Sequence, residues 1–208
     1  MKTLLWQLAF VKRILRHPID GYFDLRYKNA GGVLAATILY VLYYGVAALS
    51  MFLTNFIFNP FGINTTNPID LALVRLTPVA VFIVANYLVS AIMNGQGRFV
   101  DIYIGMAYAL TPYIVFMIPV SIVSHIFTLD EAPIYNIIVN LLYVWVFVMI
   151  YLHVKETHGY EIFQALKNIA IMLFAGVMVA AFAIALFAIS VQSIDFAVEL
   201  VREVLGLV

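Results

Sequence analysis

The sequence predicts an all-α polytopic membrane protein, a bundle of about five transmembrane helices with an amphipathic helix at each terminus. Of its 208 residues, 65% are hydrophobic and only 11% are charged, and the mean hydropathy is +1.04. A soluble domain is roughly 45–50% apolar and about 25% charged. No charged residue or histidine occurs between Asn29 and Ile69, a stretch longer than the roughly 20 residues that cross a bilayer. Lipid is therefore the predicted solvent.

Residues 1–17 predict a basic amphipathic helix. At about 100° per residue, the basic side chains gather on one face and apolar side chains cover most of the rest; these basic residues are Lys2, Lys12, Arg13 and Arg16. The pattern is typical of a helix in the membrane interface, directed at anionic headgroups, and packing on the other helices is the alternative. No small-residue cleavage site precedes the basic cluster, so we expect the segment to remain in the mature protein.

Residues 18–31 predict a polar and aromatic collar on the cytoplasmic surface. Pro18 ends the first helix, because the residue before a proline avoids the helical region. A short second helix from Pro18 would place Asp20 and Asp24 on one face, close to Arg26 and Lys28.

A five-span transmembrane domain is predicted for residues 32–190. A loop with Asn59-Pro60 and Gly62 separates the first two spans. Asn67 and Pro68 form a helix start signal, and Thr128 with Glu131 resembles a capping box. The predicted spans are residues 32–55, 68–93, 99–127, 131–153 and 168–190.

Glycine and proline shape the middle of this domain. Gly95 and Gly97 predict a tight turn between spans two and three, since glycine permits positive φ. Pro112 and Pro119 lie on one face of the third span and should kink it. After a polar segment from Lys155 to Lys167, the fifth span is rich in small residues that allow close helix contact.

Residues 191–208 predict an amphipathic surface helix on the extracytoplasmic side. Its charged residues recur at spacings of three to four; they are Asp195, Glu199, Arg202 and Glu203.

The distribution of basic residues predicts the orientation of the chain. With five spans, Arg75 and Arg202 lie on one side, and the other side carries nine of the 11 lysines and arginines: Lys2, Lys12, Arg13, Arg16, Arg26, Lys28, Arg98, Lys155 and Lys167. Because cytoplasmic loops are enriched in Lys and Arg, this basic side is predicted to be cytoplasmic, with the N-terminus inside and the C-terminus outside.

Four polar residues within the spans are candidates for a role at depth. Arg75 lies roughly 11 Å along the helix from Pro68, and it either snorkels to the surface or pairs with an acidic residue: Asp70, Asp130 or Glu131. Asn86, Asn136 and Asn140 either join helices by hydrogen bonds or line a substrate path.

The motifs give no support to catalysis. The chain has no cysteine, which excludes disulfides, thiolate metal sites and a cysteine nucleophile. His153 and His158 are five residues apart, unlike the four-residue spacing of two metal ligands on one helical face, and the segment is predicted to be a solvated cytoplasmic loop. We expect no enzymatic activity, cofactor, metal or nucleic-acid partner.

Several segments resemble bacterial members of the Yip-one family, the Ypt/Rab-interacting membrane proteins. They are HPIDGYFDLRYKNAGG, NYLVSAIMNGQGRFVDIYIGMAYALTPYIVFMIP and the Thr-Leu-Asp-Glu turn, and the resemblance covers roughly residues 15 to 190. It implies five helices, a cytosolic N-terminus and no catalytic residue. Eukaryotic relatives engage prenylated Rab-type GTPases through a cytosolic N-terminal region, whereas bacterial ones look like companions of transport systems, including carbohydrate ABC transporters.

The leading hypothesis is a non-enzymatic scaffold or accessory subunit in the bacterial cytoplasmic membrane. Its partners would be lipid and another membrane protein, such as a transporter permease, or further copies of the chain. The residues expected to make these contacts are Lys12, Arg13, Arg16, Asp20, Asp24, Arg26, Gly95, Gly97 and Arg98. The alternative is a small oligomeric transporter or channel that uses Arg75 and the three asparagines.

Overall fold

The computed structural model describes residues 3–59 and 67–204, except for the side chains of 203 and 204. Five of its helices are long and apolar enough to cross a membrane, which confirms the polytopic helical class. They are Val33–Leu53, Pro68–Ile92, Phe99–Ile126, Ala132–His158 and Ile162–Arg202. Lys2, Pro60, Gly62 and the side chain of Glu203, for which predictions were made, lie outside the described part.

Three short helices precede the spans, and the third span is built from two helices. The elements are α1 (Leu4–Ala9), α2 (Val11–Arg16), α3 (Pro18–Tyr27), α4 (Val33–Leu53), α5 (Pro68–Ile92), α6 (Phe99–Ala109), α7 (Thr111–Val123) with a 3₁₀ turn at Ser124–Ile126, α8 (Ala132–His158) and α9 (Ile162–Val204). The main apolar core lies between α4, α6, α7 and α8, and a smaller one joins α5, the end of α8 and the start of α9.

The prediction of a single helix in residues 1–17 is wrong, because the chain turns at Phe10 between α1 and α2. Phe10 is buried, with its ring against the edge of Tyr108 at 6.3 Å between centroids. The Tyr108 hydroxyl donates to the Gln7 carbonyl at 2.8 Å, close to the end of α1. These contacts hold the N-terminal segment on the bundle, while Lys12 and Arg16 remain exposed.

The collar helix α3 begins at Pro18 and packs on α8, α2 and α6. Gly21 allows a close approach to α2, since a Cβ there would lie 2.7 Å from the Ile14 side chain. Asp24 is buried and pairs at 2.7 Å with both Arg13 and Lys28, whereas Asp20 is exposed. The two aspartates therefore have different surroundings.

The third span is interrupted at Leu110, just before the first of its two prolines. Pro112 has no N–H for the Tyr108 carbonyl, and the hydroxyl of Thr111 donates to that carbonyl at 2.7 Å. Pro119 lies inside α7, which continues through it, and Pro78 inside α5 is a further helical proline.

The predicted separation of a fifth span and an amphipathic tail helix is wrong. The helix α9 is continuous over 43 residues, about 64 Å at 1.5 Å per residue. It contains no proline and, besides Gly176, no glycine, so no residue interrupts it. The polar segment from Lys155 to Lys167 is mostly helical as well: α8 ends at His158, Gly159 takes a left-handed φ of 71°, and α9 starts at Ile162.

Candidate contact site at the basic end of the bundle

The end of α3, the turn of residues 93–98 and the segment 159–161 meet at one end of the bundle, here called the basic end. The turn lies against the last residues of α8. Gly97 N–H donates to Nδ1 of His158 at 3.3 Å, and Gln96 N–H contacts the His158 carbonyl at 3.5 Å. This turn and the end of α8 therefore lie on the same side of the bundle, as the five-span topology requires.

The glycines of this turn are needed for close packing. A Cβ at Gly95 would lie 2.6 Å from His158 Nδ1, and a Cβ at Gly97 would lie 2.7 Å from His158 Cε1. The prediction that the two glycines adopt a positive φ is wrong, because the left-handed residue of the turn is Asn94, with φ of 56°. Asparagine tolerates that region better than most residues. The close approach of the His158 side chain thus explains why both positions are glycine.

Two arginines converge on Asp101, which lies in the first turn of α6. Arg26 binds Asp101 Oδ2 through Nη1, and its Nη2 donates to the Gln96 carbonyl at 2.6 Å. Arg98 donates to the same carboxylate through Nε at 3.0 Å and through Nη2 at 3.1 Å. The arginine cluster, Arg26, Arg98 and Asp101, therefore joins α3, the turn and α6. It places two predicted contact residues together around an acid for which no such role was predicted.

Asn86 lies close to the end of α5 and is fully buried against His158. His158 Nε2 is 2.9 Å from Asn86 Oδ1. Because Gly97 N–H donates to Nδ1, His158 carries its proton on Nε2 and donates it to Asn86. The His158 ring also stacks on Tyr160 at 5.2 Å between centroids, and burial raises the pKa of that tyrosine. One neutral imidazole connects α5, the turn and α8.

The predicted solvated loop at residues 153–158 is wrong, because both histidines belong to α8 and are buried. His153 Nδ1 is 3.0 Å from the Thr157 hydroxyl, and its ring lies beside Tyr22 of α3. A Cβ at Gly105 would lie only 2.1 Å from His153 Nδ1. The His153 ring therefore occupies the space that a side chain at residue 105 would need. The two residues are far apart in sequence, so no local pattern predicts this contact.

The basic end is built for contact between helices, with few polar atoms left over. In the described part of the chain, no group of three or more His, Asp or Glu residues is arranged to hold a metal ion. Four buried polar atoms near this end have no hydrogen-bond partner among the described residues: Tyr22 Oη, Asn86 Nδ2, His153 Nε2 and Asn168 Oδ1. Burial raises the pKa of Tyr22 well above its ordinary value.

Arg75 lies away from the basic end, among three tyrosines. Its guanidinium carbon is 5.9 Å from the centre of the Tyr113 ring, within the range of a cation–π interaction. Tyr43 and Tyr143 are near enough to the guanidinium to interact with it electrostatically. In the described structure Arg75 forms no ion pair with any of the predicted acids, Asp70, Asp130 and Glu131. An aromatic cage connects α5 to α4, α7 and α8 in place of that ion pair.

The remaining candidates lie apart from Asn86. Asn136 and Asn140, one turn apart on α8, are exposed and have no hydrogen-bond partner among the described residues. They form no common path with Asn86, which is buried at the basic end. Lys12, Arg16 and Asp20 are also exposed.

Long apolar helices, buried polar contacts at one end and apolar outer faces define a multi-pass helical membrane protein. The family model described as the Yip1 domain matches residues 12–191. The chain therefore belongs to the Yip1 family, which confirms the family predicted from the sequence. No curated protein and no solved structure matches it significantly.

Proposed function

We propose that this Yip1-family protein is a non-enzymatic scaffold or accessory subunit that binds another membrane protein through the outer face of α8. The observation that carries the proposal is the α8 amide pair, Asn136 and Asn140, exposed on a helix that spans the membrane. Asn140 lies about 12 Å along the helix from Ala132, a depth at which lipid offers no hydrogen bond.

Energetics favour a protein partner at this face. A polar group in hydrocarbon without a partner is costly, and amide side chains commonly hydrogen-bond across membrane helices, at about 0.6 kcal/mol on average. Ile137 and Val144, both more than half exposed, supply apolar contact beside the pair. A transporter permease in a bacterial cytoplasmic membrane, such as that of a carbohydrate ABC transporter, is the partner we propose.

The same placement disfavours the transporter hypothesis. A groove of about 660 Å³ opens sideways between α4 and α5, and none of the four polar residues expected to form a path lines it. Arg75, Asn86 and the amide pair instead lie in three different surroundings. Purified protein in liposomes should therefore show no flux of sugars or ions, and specific flux would favour the transporter.

A cross-linking experiment tests the proposed contact. Because the chain has no cysteine, a photoreactive or thiol probe at residue 144, beside the amide pair, reports on a single position and leaves both asparagines in place. We expect one defined cross-linked protein in native membranes, and loss of that partner from mild-detergent purifications of the double variant Asn136→Leu/Asn140→Leu.

The matched control is Ile137→Leu/Leu141→Ile, which changes the same helix without removing an amide. It should retain the partner. The proposal fails if no stoichiometric partner is found, or if both double variants behave alike. A cross-link only to a second copy of the chain would indicate a homo-oligomer and contradict the role as an accessory subunit.

A further inference from the structure

We propose that a groove between α2 and the α7–α8 pair binds one anionic phospholipid. The groove has a volume of about 500 Å³ and is lined by apolar residues and two cations: Leu8, Ala9, Val11, Lys12, Leu15, Arg16, Val115, Phe116 and Trp145. The phosphate would lie at Lys12 and Arg16, with an acyl chain along Phe116 and Trp145.

The cations of this groove differ from the other basic residues of the N-terminal segment. Arg13 is paired with Asp24, and Arg26 is paired with Asp101. Lys12 and Arg16 are exposed and form no ion pair with any described residue. Arg16 also borders a small recess that contains Asp20, to which it is not bonded. Two uncompensated positive charges beside an apolar groove complement a lipid with an anionic head.

The walls of the groove suit an acyl chain. Phe116 and Trp145 stack with their rings 5.1 Å apart and 29° from parallel, which joins α7 and α8 in one aromatic wall of the groove. About 20 Å of helix separates Trp145 from Ala132. In a hydrocarbon core about 30 Å thick, with Ala132 at the far boundary, Trp145 lies about 10 Å inside the basic-side boundary. The upper part of an acyl chain whose phosphate is at that boundary occupies this depth.

This lipid site is independent of the proposed protein contact. Asn140 and Trp145 are five positions apart on α8, so they point about 140° away from each other at 3.6 residues per turn. A partner at the α8 amide pair and a lipid in the groove can therefore be bound at the same time. Failure of one proposal leaves the other standing, and each has its own variants.

Tryptophan fluorescence offers a direct test, because Trp145 lines the groove and the chain has only two tryptophans. The variant Trp6→Phe leaves Trp145 as the single emitter. In bilayers of phosphatidylcholine, a brominated-chain phosphatidylglycerol should quench Trp145 more strongly than brominated phosphatidylcholine at the same fraction. A basic side chain near a membrane surface favours anionic lipid by about fivefold, so we expect a relative binding constant of roughly five to twenty-five.

Two charge-matched double variants decide what causes the preference. Lys12→Gln/Arg16→Gln should bring the relative binding constant to about one by the same electrostatic argument. Lys167→Gln/Arg202→Gln also removes two exposed cations that have no ion pair in the described structure, and it should keep the preference. Native mass spectrometry of the chain with both tryptophans should show one bound phosphatidylglycerol that inorganic phosphate does not displace.

Two fluorescence results would overturn the lipid site, and one result of native mass spectrometry would also do so. One is equal quenching by both brominated lipids, which means ordinary lipid contact with no selection. The other is an equal loss of selectivity in both double variants, which means that overall charge alone is responsible. Displacement of the lipid by inorganic phosphate would reduce the site to an anion site without a role for the apolar groove.

Discussion

The third and fifth spans, compared side by side, show what hydrophobicity means in this protein. The fifth is the most hydrophobic of the five spans and the third is the least. Yet 56% of the apolar stretch of the third span is buried in the protein, against 11% for the fifth. Three polar side chains of the third span find partners on other elements or close by on the chain: Asp101, Tyr108 and Thr111.

The difference follows from the solvent. Where lipid surrounds the protein, apolar side chains gain little by packing on each other, and helix association depends on small residues, close fit and hydrogen bonds. The third span provides these features and lies at the centre of the bundle. The fifth provides an apolar surface that contacts lipid favourably and therefore gains little by packing on other helices. The predictions below test whether stability is in fact concentrated around α6 and the basic end.

The largest effect is expected from Gly105→Ala on α6. The new methyl would lie 2.1 Å from His153, whose ring is enclosed by Tyr22 and Thr157 and cannot move aside. We expect a loss of about 3 kcal/mol in the free energy of unfolding, measured by denaturant titration in mixed micelles. Gly45→Ala, with no atom within 4 Å of the new Cβ, is the control and should not destabilise.

A double-mutant cycle identifies the clash as the cause. In the background His153→Ala, the change Gly105→Ala should cost less than about 1 kcal/mol, because residues in contact are not additive. An undiminished cost in that background would show that His153 does not fill the space of Gly105.

The next largest effect is expected from Asp101→Asn, which leaves Arg26 and Arg98 without their shared carboxylate. Breaking a buried pair costs about 3–5 kcal/mol. Since Arg98 is mostly exposed, we expect about 2 kcal/mol from the same unfolding titration after allowing for solvent screening. Asp195→Asn on the exposed part of α9 is the control. Equal effects of the two variants would contradict the contrast between the two spans.

A smaller effect is expected from Asn86→Leu, which removes the acceptor for His158 Nε2–H. A buried donor left unsatisfied costs about 1–3 kcal/mol, and we expect about 1.5 kcal/mol. Asn140→Leu, on the lipid-facing side of α8, should leave the stability of the isolated chain nearly unchanged. The melting temperatures of both variants are compared in the same detergent. A larger fall in melting temperature for Asn140→Leu than for Asn86→Leu would refute this prediction.

The smallest effect concerns the opposite end of the bundle. The Thr128 N–H and hydroxyl both donate to Glu131, which lowers the pKa of that exposed carboxyl. Its contribution to stability is therefore present above the ordinary glutamate pKa of about 4.3 and lost as the pH falls through the lowered pKa.

Thr128→Val tests this assignment, because it removes one of the two donors. An NMR titration of the carboxyl carbons should show the pKa of Glu131 rising toward its ordinary value. An unchanged pKa at Glu131 would mean that the hydroxyl plays no part.

Some features of the candidate site were accessible from sequence and others were not. Arg26 and Arg98 were found as basic residues at the ends of apolar segments, and the two glycines were found as turn residues. His158, which contacts both glycines, was missed, since its burial depends on a turn 61 residues away in sequence. The close contact at Gly105 could likewise not be predicted from the sequence, because it is made by a histidine on a different helix.

By itself, the sequence determined the solvent, the helical class, the five spans and the family. Each follows from long apolar segments, from cap and turn residues or from motifs read along the chain. Only the tertiary structure decided that α9 runs unbroken, that the histidines of α8 are buried and that Arg75 lies among tyrosines. It also decided that Lys12 and Arg16 form no ion pair with any described residue. Those outcomes depend on which side chains meet across helices, and in lipid that is decided by close fit and polar partners, which hydropathy does not record.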